Sequence, residues 1–182
     1  AHKDFASHVL GYLGEVSKSE LKISKFSRYE LGDMVGKNGL EKIYESQLRG
    51  KKGFKEVEVD VSGRELKVLR EFSPKTGNSL VLTLDSRVQS KLETLMDEVL
   101  RESSVEGSAV VMKVQSGEII AMVSKPSFDP NSFATGISTK QWSGLVLDEK
   151  NPLQNRTIDG QYPPASTYKV VTAYAALAEK II

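Results

Sequence analysis

Ser166 and Lys169 stand three residues apart in "YPPASTYKVVTAYAALAEK", at the mouth of an almost wholly apolar run. A serine hydroxyl is a weak nucleophile that needs a neighbouring base, and residues i and i+3 of a helix share a face, so the Lys169 amine can reach the Ser166 oxygen. To act as that base near pH 7, a lysine must fall from about 10.4 by roughly three units, about 4 kcal/mol, through burial and neighbouring positive charge. Free N–H groups at a helix start also favour an oxyanion developing beside Ser166. The alternative is that Ser166 caps a core helix while Lys169 snorkels to solvent. Spacing alone decides nothing, because "SELK" sets Ser19 and Lys22 at the same interval in a polar segment, where a surface serine and lysine are the simpler reading.

Setting separates the two pairs. Pro163-Pro164 forbids helix upstream of Ser166. The residues that follow, from Val170 and Val171 through Ala173 to Ala178 and on to Ile181 and Ile182, leave scarcely a polar face. That helix is expected to be completely buried.

The elements that must position the pair read as α+β. "SHVLGYLGEVS" suggests a strand bent at Gly11 and Gly14, and a polar helical segment follows around "SKSELKISK". A helix is predicted over residues 39–48, with Leu40, Ile43, Tyr44 and Leu48 on one face. "KEVEVDVSGRELKVLREF" alternates as a hairpin turning at Ser62-Gly63. A boundary falls at "SPKTGNSLVLTLD": a turn, a Leu/Val strand, then Asp85 placed to cap a helix from Ser86 to about Glu102. "SAVVMKV" and "EIIAMVS", joined at Gln115-Ser116-Gly117, are expected as largely buried strands beneath that helix. Residues 125–164 are rich in Pro, Asn, Gly and Ser with little periodicity, and read as a long functional loop.

Composition narrows the classes further. The 25 basic and 24 acidic residues nearly cancel, so no broad basic field argues for nucleic acid. Zero cysteines exclude disulfides and thiolate zinc sites. His2 and His8 are the only histidines and have no metal-ligand spacing around them, so neither a metal site nor a Ser-His-Asp triad is expected. "GDMVGKNG" departs from a phosphate-binding loop in its glycine interval and in Asn38 at the Ser/Thr position, and turn glycines are the simpler reading. "LRGKKG" is most simply a solvated turn, with a partner-binding patch as the alternative. No apolar run reaches the roughly 18 residues of a membrane span, and the N-terminus lacks signal-peptide order.

The C-terminal block resembles the first active-site motif of penicillin-binding proteins. The preceding blocks "HVLGYLGEVS", "VGKNGLEKIYESQLRGKKG", "LVLTLDSRVQ", "AVVMKVQSGEIIAMVSKPSFDPNSF" and "NPLQNRT" are similar to class B members in order, nearest the elongation-type enzymes. The resemblance implies a non-catalytic, dimerisation-type pedestal over residues 1–79. Residues 80–182 would then be the incomplete beginning of a transpeptidase domain, an antiparallel sheet flanked by helices and ending on the nucleophile helix. Ser166 becomes the nucleophile, its N–H part of the oxyanion hole, and Lys169 the general base of a peptidoglycan D,D-transpeptidase. Peptidoglycan stem peptides and β-lactams would acylate it, with no cofactor and no metal.

The resemblance also implies a membrane-anchored parent working at the extracytoplasmic, periplasmic face, with a membrane glycosyltransferase and cell-shape scaffold proteins as partners. Ala165 stands where the family usually has Gly. The Ser-x-Asn and Lys-Thr-Gly motifs are expected beyond Ile182, so residues 1–182 alone are expected to be inactive. Two rival readings remain: an interaction module docking through residues 36–53, and a β-lactamase or β-lactam sensor.

Overall fold

A computed structural model describes residues 3–23, 29–103 and 105–181; His2, Ser24, Lys25 and Ile182 lie outside the described residues. The chain opens with one helical turn, α1 (Ser7–Leu10), and then β1 (Leu13–Glu15), where the sequence suggested a single bent strand. Gly11 explains the difference. Its N–H closes the turn on Ser7 O at 2.8 Å, its φ is 81°, and a Cβ there would stand 1.9 Å from Asn38 O. The glycine ends a helix against a neighbouring loop instead of bending a strand. A 3-10 turn at Glu20–Lys22 forms in the polar segment, and β2 (Met34–Gly36) pairs antiparallel with β1, Leu13 opposite Gly36.

The helix predicted over residues 39–48 is two helices, α2 (Gly39–Ile43) and α3 (Glu45–Leu48). Tyr44, at φ −102° and ψ 16°, breaks the run and lets Glu45 turn inward, where its Oε2 accepts from Gly36 N at 2.8 Å. Ile43 is left exposed rather than on a shared buried face. The alternating segment does form the predicted hairpin, β3 (Phe54–Val59) with β4 (Glu65–Phe72). Asp60 Oδ1 closes it by accepting from Ser62 N and Arg64 N at 2.8 and 3.0 Å, and Phe54 stacks on Phe72 at 4.5 Å.

Residues 80–84 form no strand ladder among the described residues, contrary to the expectation. The run touches its neighbour only at the end, through Thr83 Oγ1 to Ile119 O (2.6 Å) and Asp85 N to Ile120 O (2.9 Å), before turning into a helix. Asp85 caps that helix, α4 (Ser86–Ser103), as its placement predicts, accepting from Arg87 N and Val88 N at 2.9 and 3.3 Å. Helix α4 lies on the hairpin of β5 (Gly107–Met112) and β6 (Ile119–Lys125). Strand β6 is largely buried, but β5 is not: Val110, Val111 and Met112 stay exposed, because α4 covers one face of a sheet of only two strands.

The expected long loop contains three short helices, α5 (Asn131–Ala134), α6 (Thr139–Val146) and α7 (Arg156–Asp159). Local caps carry them: Ser138 and Gln141 form a capping box on α6, and Asn155 caps α7 through Thr157 N. A 3-10 turn at Ala165–Tyr168 then runs into α8 (Lys169–Ala178). The core joins the N-terminal segment to β6 and the stretch that follows it. Ala6, Val16 and Val35 share it with Ala121, Val123, Phe128 and Phe133. Tyr12 stacks on Phe133 at 4.0 Å, while Phe128 meets His8 and Tyr12 edge-on at 5.1 and 5.9 Å.

Candidate active site

Strand β6 is the platform for the segment leading to Ser166. Near its end, buried Ser124 donates to Gln154 O at 3.0 Å and accepts from Arg156 N at 3.0 Å. Arg156 is itself buried, and its guanidinium donates to Asn151 O at 3.1 Å and Lys150 O at 2.5 Å, so carbonyl dipoles satisfy the charge. Asn155 Nδ2 donates to His8 O at 3.4 Å, and His8 Nε2 lies 2.8 Å from Pro152 O. A carbonyl can only accept, so Nε2 carries the proton. Burial pushes the His8 imidazolium below its usual range; the Pro152 carbonyl opposes this, and the charges of Arg156 and Lys125 reinforce it. The ring is therefore neutral at pH 7.

From Arg156 the chain runs through exposed residues 161–165 to Ser166. Helix α7 is one turn, and a Cβ on Gly160 would stand 2.5 Å from both Arg156 O and the Tyr162 ring. Pro163 and Pro164 then fix φ. Ala165 adopts φ 47°, the left-handed conformation that a Cβ disfavours by about 1–2 kcal/mol. The turn is closed by Thr167, whose N–H donates to Pro164 O at 3.1 Å and whose hydroxyl donates to the same carbonyl. Among the described residues, the Ser166 hydroxyl and the Ser166 N–H make no hydrogen bond, while Ser166 O accepts from Lys169 N. The orphan N–H is the group that a 3-10 start leaves open to an incoming anion.

Ser166 and Lys169 thus share the first turns of one helix, and both are exposed. The apolar helix α8 is exposed too, with Val170 at 76% and Leu177 at 62% accessibility, so the burial expected from its composition is absent. Its substantial neighbour among the described residues is its own leading turn. The other Ser-x-x-Lys pair, Ser19 and Lys22, lies exposed on a 3-10 turn, where the Ser19 hydroxyl meets that of Ser17 at 3.0 Å.

The remaining motifs do structural work. In "GDMVGKNG", a Cβ at Gly36 would stand 2.1 Å from Glu41 O, and one at Gly39 would stand 2.6 Å from Val9 O. "LRGKKG" is more than a solvated turn: Arg49 pairs with Asp33 at 2.7 Å, and Lys52 pairs with Asp33 at 2.6 Å and Glu30 at 3.0 Å. The hydrogen bond from Lys52, with that from Arg49, holds the Asp33 carboxyl down to about 2. Lys125, buried at the end of β6, joins Asp97 at 2.9 Å and Asp4 at 3.2 Å. Among the described residues, no group of three or more His, Asp or Glu is placed to hold a metal ion, and no helix is long and apolar enough to cross a membrane.

Sequence reading missed the anchors of this site. From the sequence, His8 reads only as a candidate metal ligand or triad member, and Ser124, Asn155 and Arg156 carry no chemical role. Asn155 ahead of Arg156-Thr157 is an N-cap signal that would have found α7. The pairing of His8 with Pro152 spans 144 residues and leaves no local trace.

An α+β chain that ends on an exposed Ser-x-x-Lys helix finds matching family models on both sides of α4. The penicillin-binding protein dimerisation domain matches residues 1–82, and the penicillin-binding protein transpeptidase domain matches residues 107–182. The chain belongs to the penicillin-binding proteins. It is 38% identical over 180 residues to the peptidoglycan D,D-transpeptidase MrdA of Escherichia coli K12, covering 97% of this chain and 28% of that protein. Penicillin-binding protein 2 of Helicobacter pylori, solved in complex with MreC, superposes with a TM-score of 0.76 at 36% identity, over 97% of this chain and 31% of the other. A chain from a peptidoglycan synthase complex that coordinates polymerization and crosslinking gives a TM-score of 0.79 at 34% identity, over 97% and 32%. The chain therefore spans less than a third of the length of each of these relatives.

Proposed function

We propose that the protein to which these residues belong is a serine D,D-transpeptidase that cross-links peptidoglycan stem peptides during cell-wall elongation. Ser166 attacks the D-Ala-D-Ala carbonyl, and Lys169 takes its proton. D-Alanine leaves with a proton, and an amine of a neighbouring strand resolves the acyl-serine ester. The Ser166 N–H serves as one oxyanion donor. A β-lactam acylates the same serine and stays. Residues 1–79 form the pedestal, and residues 80–182 open the transpeptidase domain.

The observation that carries this reading is the Ser-x-x-Lys turn itself, with its unpaired Ser166 hydroxyl and N–H, inside the stretch matched by the transpeptidase family. Similarity to MrdA supports the substrate class. The protein would act at the extracytoplasmic face of the membrane. The relatives solved with MreC and within a peptidoglycan synthase complex support a scaffold protein and a glycan polymerase as partners of the pedestal.

Labelling the full-length protein with a fluorescent penicillin tests it. One label per chain, mapped to Ser166 by peptide mass and absent from Ser166→Ala, is expected. Stoichiometric label on another residue refutes the assignment. Rapid turnover of the β-lactam would favour a β-lactamase instead.

A further inference from the structure

The turn that carries Ser166 is held by its own hydrogen bonds. Residues 161–170 are exposed, and the substantial neighbour of α8 among the described residues is that leading turn. Within the turn one acceptor takes two donors: Pro164 O accepts from Thr167 N at 3.1 Å and from the Thr167 hydroxyl. A carbonyl oxygen has two lone pairs, so both bonds form at once. They close a ring from Pro164 to Thr167, and only Ala165 and Ser166 lie inside it. On its other side Ser166 is tied to the start of α8, its carbonyl accepting from Lys169 N.

The ring holds a conformation that the chain would otherwise leave. Pro164 is right-handed, at φ −67° and ψ −17°, and Ala165 then sits at φ 47°, where a Cβ is disfavoured. Relaxation of Ala165 to negative φ would swing Ser166 with it and re-aim the hydroxyl and N–H that the turn leaves unpaired. The Thr167 hydroxyl opposes that motion at the turn itself, because a β-branched side chain is stiff at χ1 and a bond from it to the backbone three residues earlier pins the Pro164 peptide. Thr167 is exposed and fills no core, so this hydrogen bond is what its side chain gives the turn.

We infer that Thr167 is a positioning residue for Ser166, its hydroxyl bond to Pro164 O holding the left-handed turn at Ala165. The inference rests on Ser166 being the nucleophile. A displacement of about 1 Å in a reacting group can slow chemistry by roughly a hundredfold. Without the hydroxyl the turn keeps its N–H bond, so a smaller loss of about tenfold is expected, confined to the acylation step and absent from the preceding non-covalent binding.

The test uses the full-length protein and a fluorescent penicillin, with stopped-flow separation of the binding constant from the acylation rate constant. T167V keeps the branched shape and loses the donor; it is expected to acylate about tenfold more slowly at unchanged binding. T167S keeps the donor and is expected to acylate within about twofold of the parent. T167V within twofold of the parent overturns the inference, as does a T167V loss that lies wholly in binding, or T167S being as slow as T167V while equally folded by circular dichroism. Should T167V fail to fold, T167A against T167S decides: a slower T167A supports the inference and equal rates overturn it. Ser166→Ala is run alongside. Stoichiometric label retained there refutes the nucleophile assignment, whatever the Thr167 variants do.

Discussion

The side-chain amide of Gln89 makes both backbone hydrogen bonds that a neighbouring strand would give Met122, donating to its carbonyl at 2.9 Å and accepting from its N–H at 2.8 Å. Gln89 is fully buried on α4, and its Nε2 also reaches Glu93 Oε1, which accepts from Ala6 N as well, both at 2.8 Å. One glutamine thus joins the helix to the sheet edge and, through Glu93, to the start of the chain. Gln89→Leu leaves two polar backbone groups of Met122 without partners and is expected to cost about 2–4 kcal/mol, read as a lower first transition in calorimetry of the full-length protein. Gln89→Glu keeps the acceptor but sets a second carboxylate beside Glu93. It should be no more stable than Gln89→Leu at pH 7 and should recover partly below about pH 5, as protonation restores a donor.

Local pattern and distant contact divide what the sequence makes legible. The β3–β4 hairpin and α4 follow from alternation and from the Asp85 cap, signals held within a few residues. Helix α1 does not, because four residues are too few for helical periodicity to show, and Gly11 answers to Asn38, 27 positions away. Ser166 and Lys169 are singled out as a candidate pair by their setting after Pro163-Pro164 and before an apolar run, and not by spacing, which Ser19 and Lys22 share. The contacts that anchor the preceding stretch are not legible, since Ser124, His8, Asn155 and Arg156 meet only once β6 and the N-terminal segment have packed. For α8, composition correctly marks an apolar surface, but whether anything covers it is a property of the surroundings and not of the segment.

Acid should weaken the N-terminal region through identified carboxylates. Asp33 is held to about 2 by Lys52 and Arg49, and Glu20 to about 2 by Lys37 and the Ser17 N–H. Both folded values lie below the ordinary 3.8 and 4.5, so their stabilisation is complete above about pH 4.5 and is lost as pH falls towards 2. Melting temperature against pH should therefore drop between pH 4.5 and 2. Asp33→Asn should flatten that drop while lowering stability at pH 7.

The Lys125 cluster predicts the opposite limb. Burial lowers the Lys125 ammonium, but its hydrogen bond to Asp97 and the charge of Asp4 together raise it above 10.5. Its contribution is thus present below about pH 10.5 and fades above it. Asp4 and Asp97 keep side-chain exposures of 45% and 60%, so removing the cation leaves anions that water can solvate. Lys125→Met is expected to lower stability at pH 7 by about 1–3 kcal/mol and to reduce the alkaline loss, to which the raised Lys52, Lys55, Tyr12 and Tyr29 also contribute, as followed by thermal melts from pH 8 to 11.

Ala165 holds the turn before Ser166 at φ 47°. Relieving a left-handed strain of about 1–2 kcal/mol with glycine is offset by about 0.4–1 kcal/mol of unfolded-chain entropy. Ala165→Gly should therefore be nearly neutral in stability and should acylate no more slowly than the parent. Ala165→Val puts a β-branched side chain where φ is positive and should slow acylation at least tenfold by moving Ser166. Equal acylation by the valine variant would show that the turn tolerates any side chain.

Helix α8 exposes Val170, Val171, Tyr174 and Leu177, and the edge strand β5 exposes Val110, Val111 and Met112. Patches of this kind on a soluble surface mark places where further chain or partner packs. With α8 uncovered, Ser166 and Lys169 both lie open to solvent, outside the closed and oriented site that acyl transfer needs. A polypeptide of residues 1–182 alone should therefore fail to take a fluorescent penicillin under conditions that label the full-length protein completely. It should also bind a hydrophobic dye such as ANS strongly, and Val170→Lys with Leu177→Lys should reduce that dye signal. Stoichiometric, penicillin-competable labelling of Ser166 in the 182-residue polypeptide would show that the exposed turn is already competent.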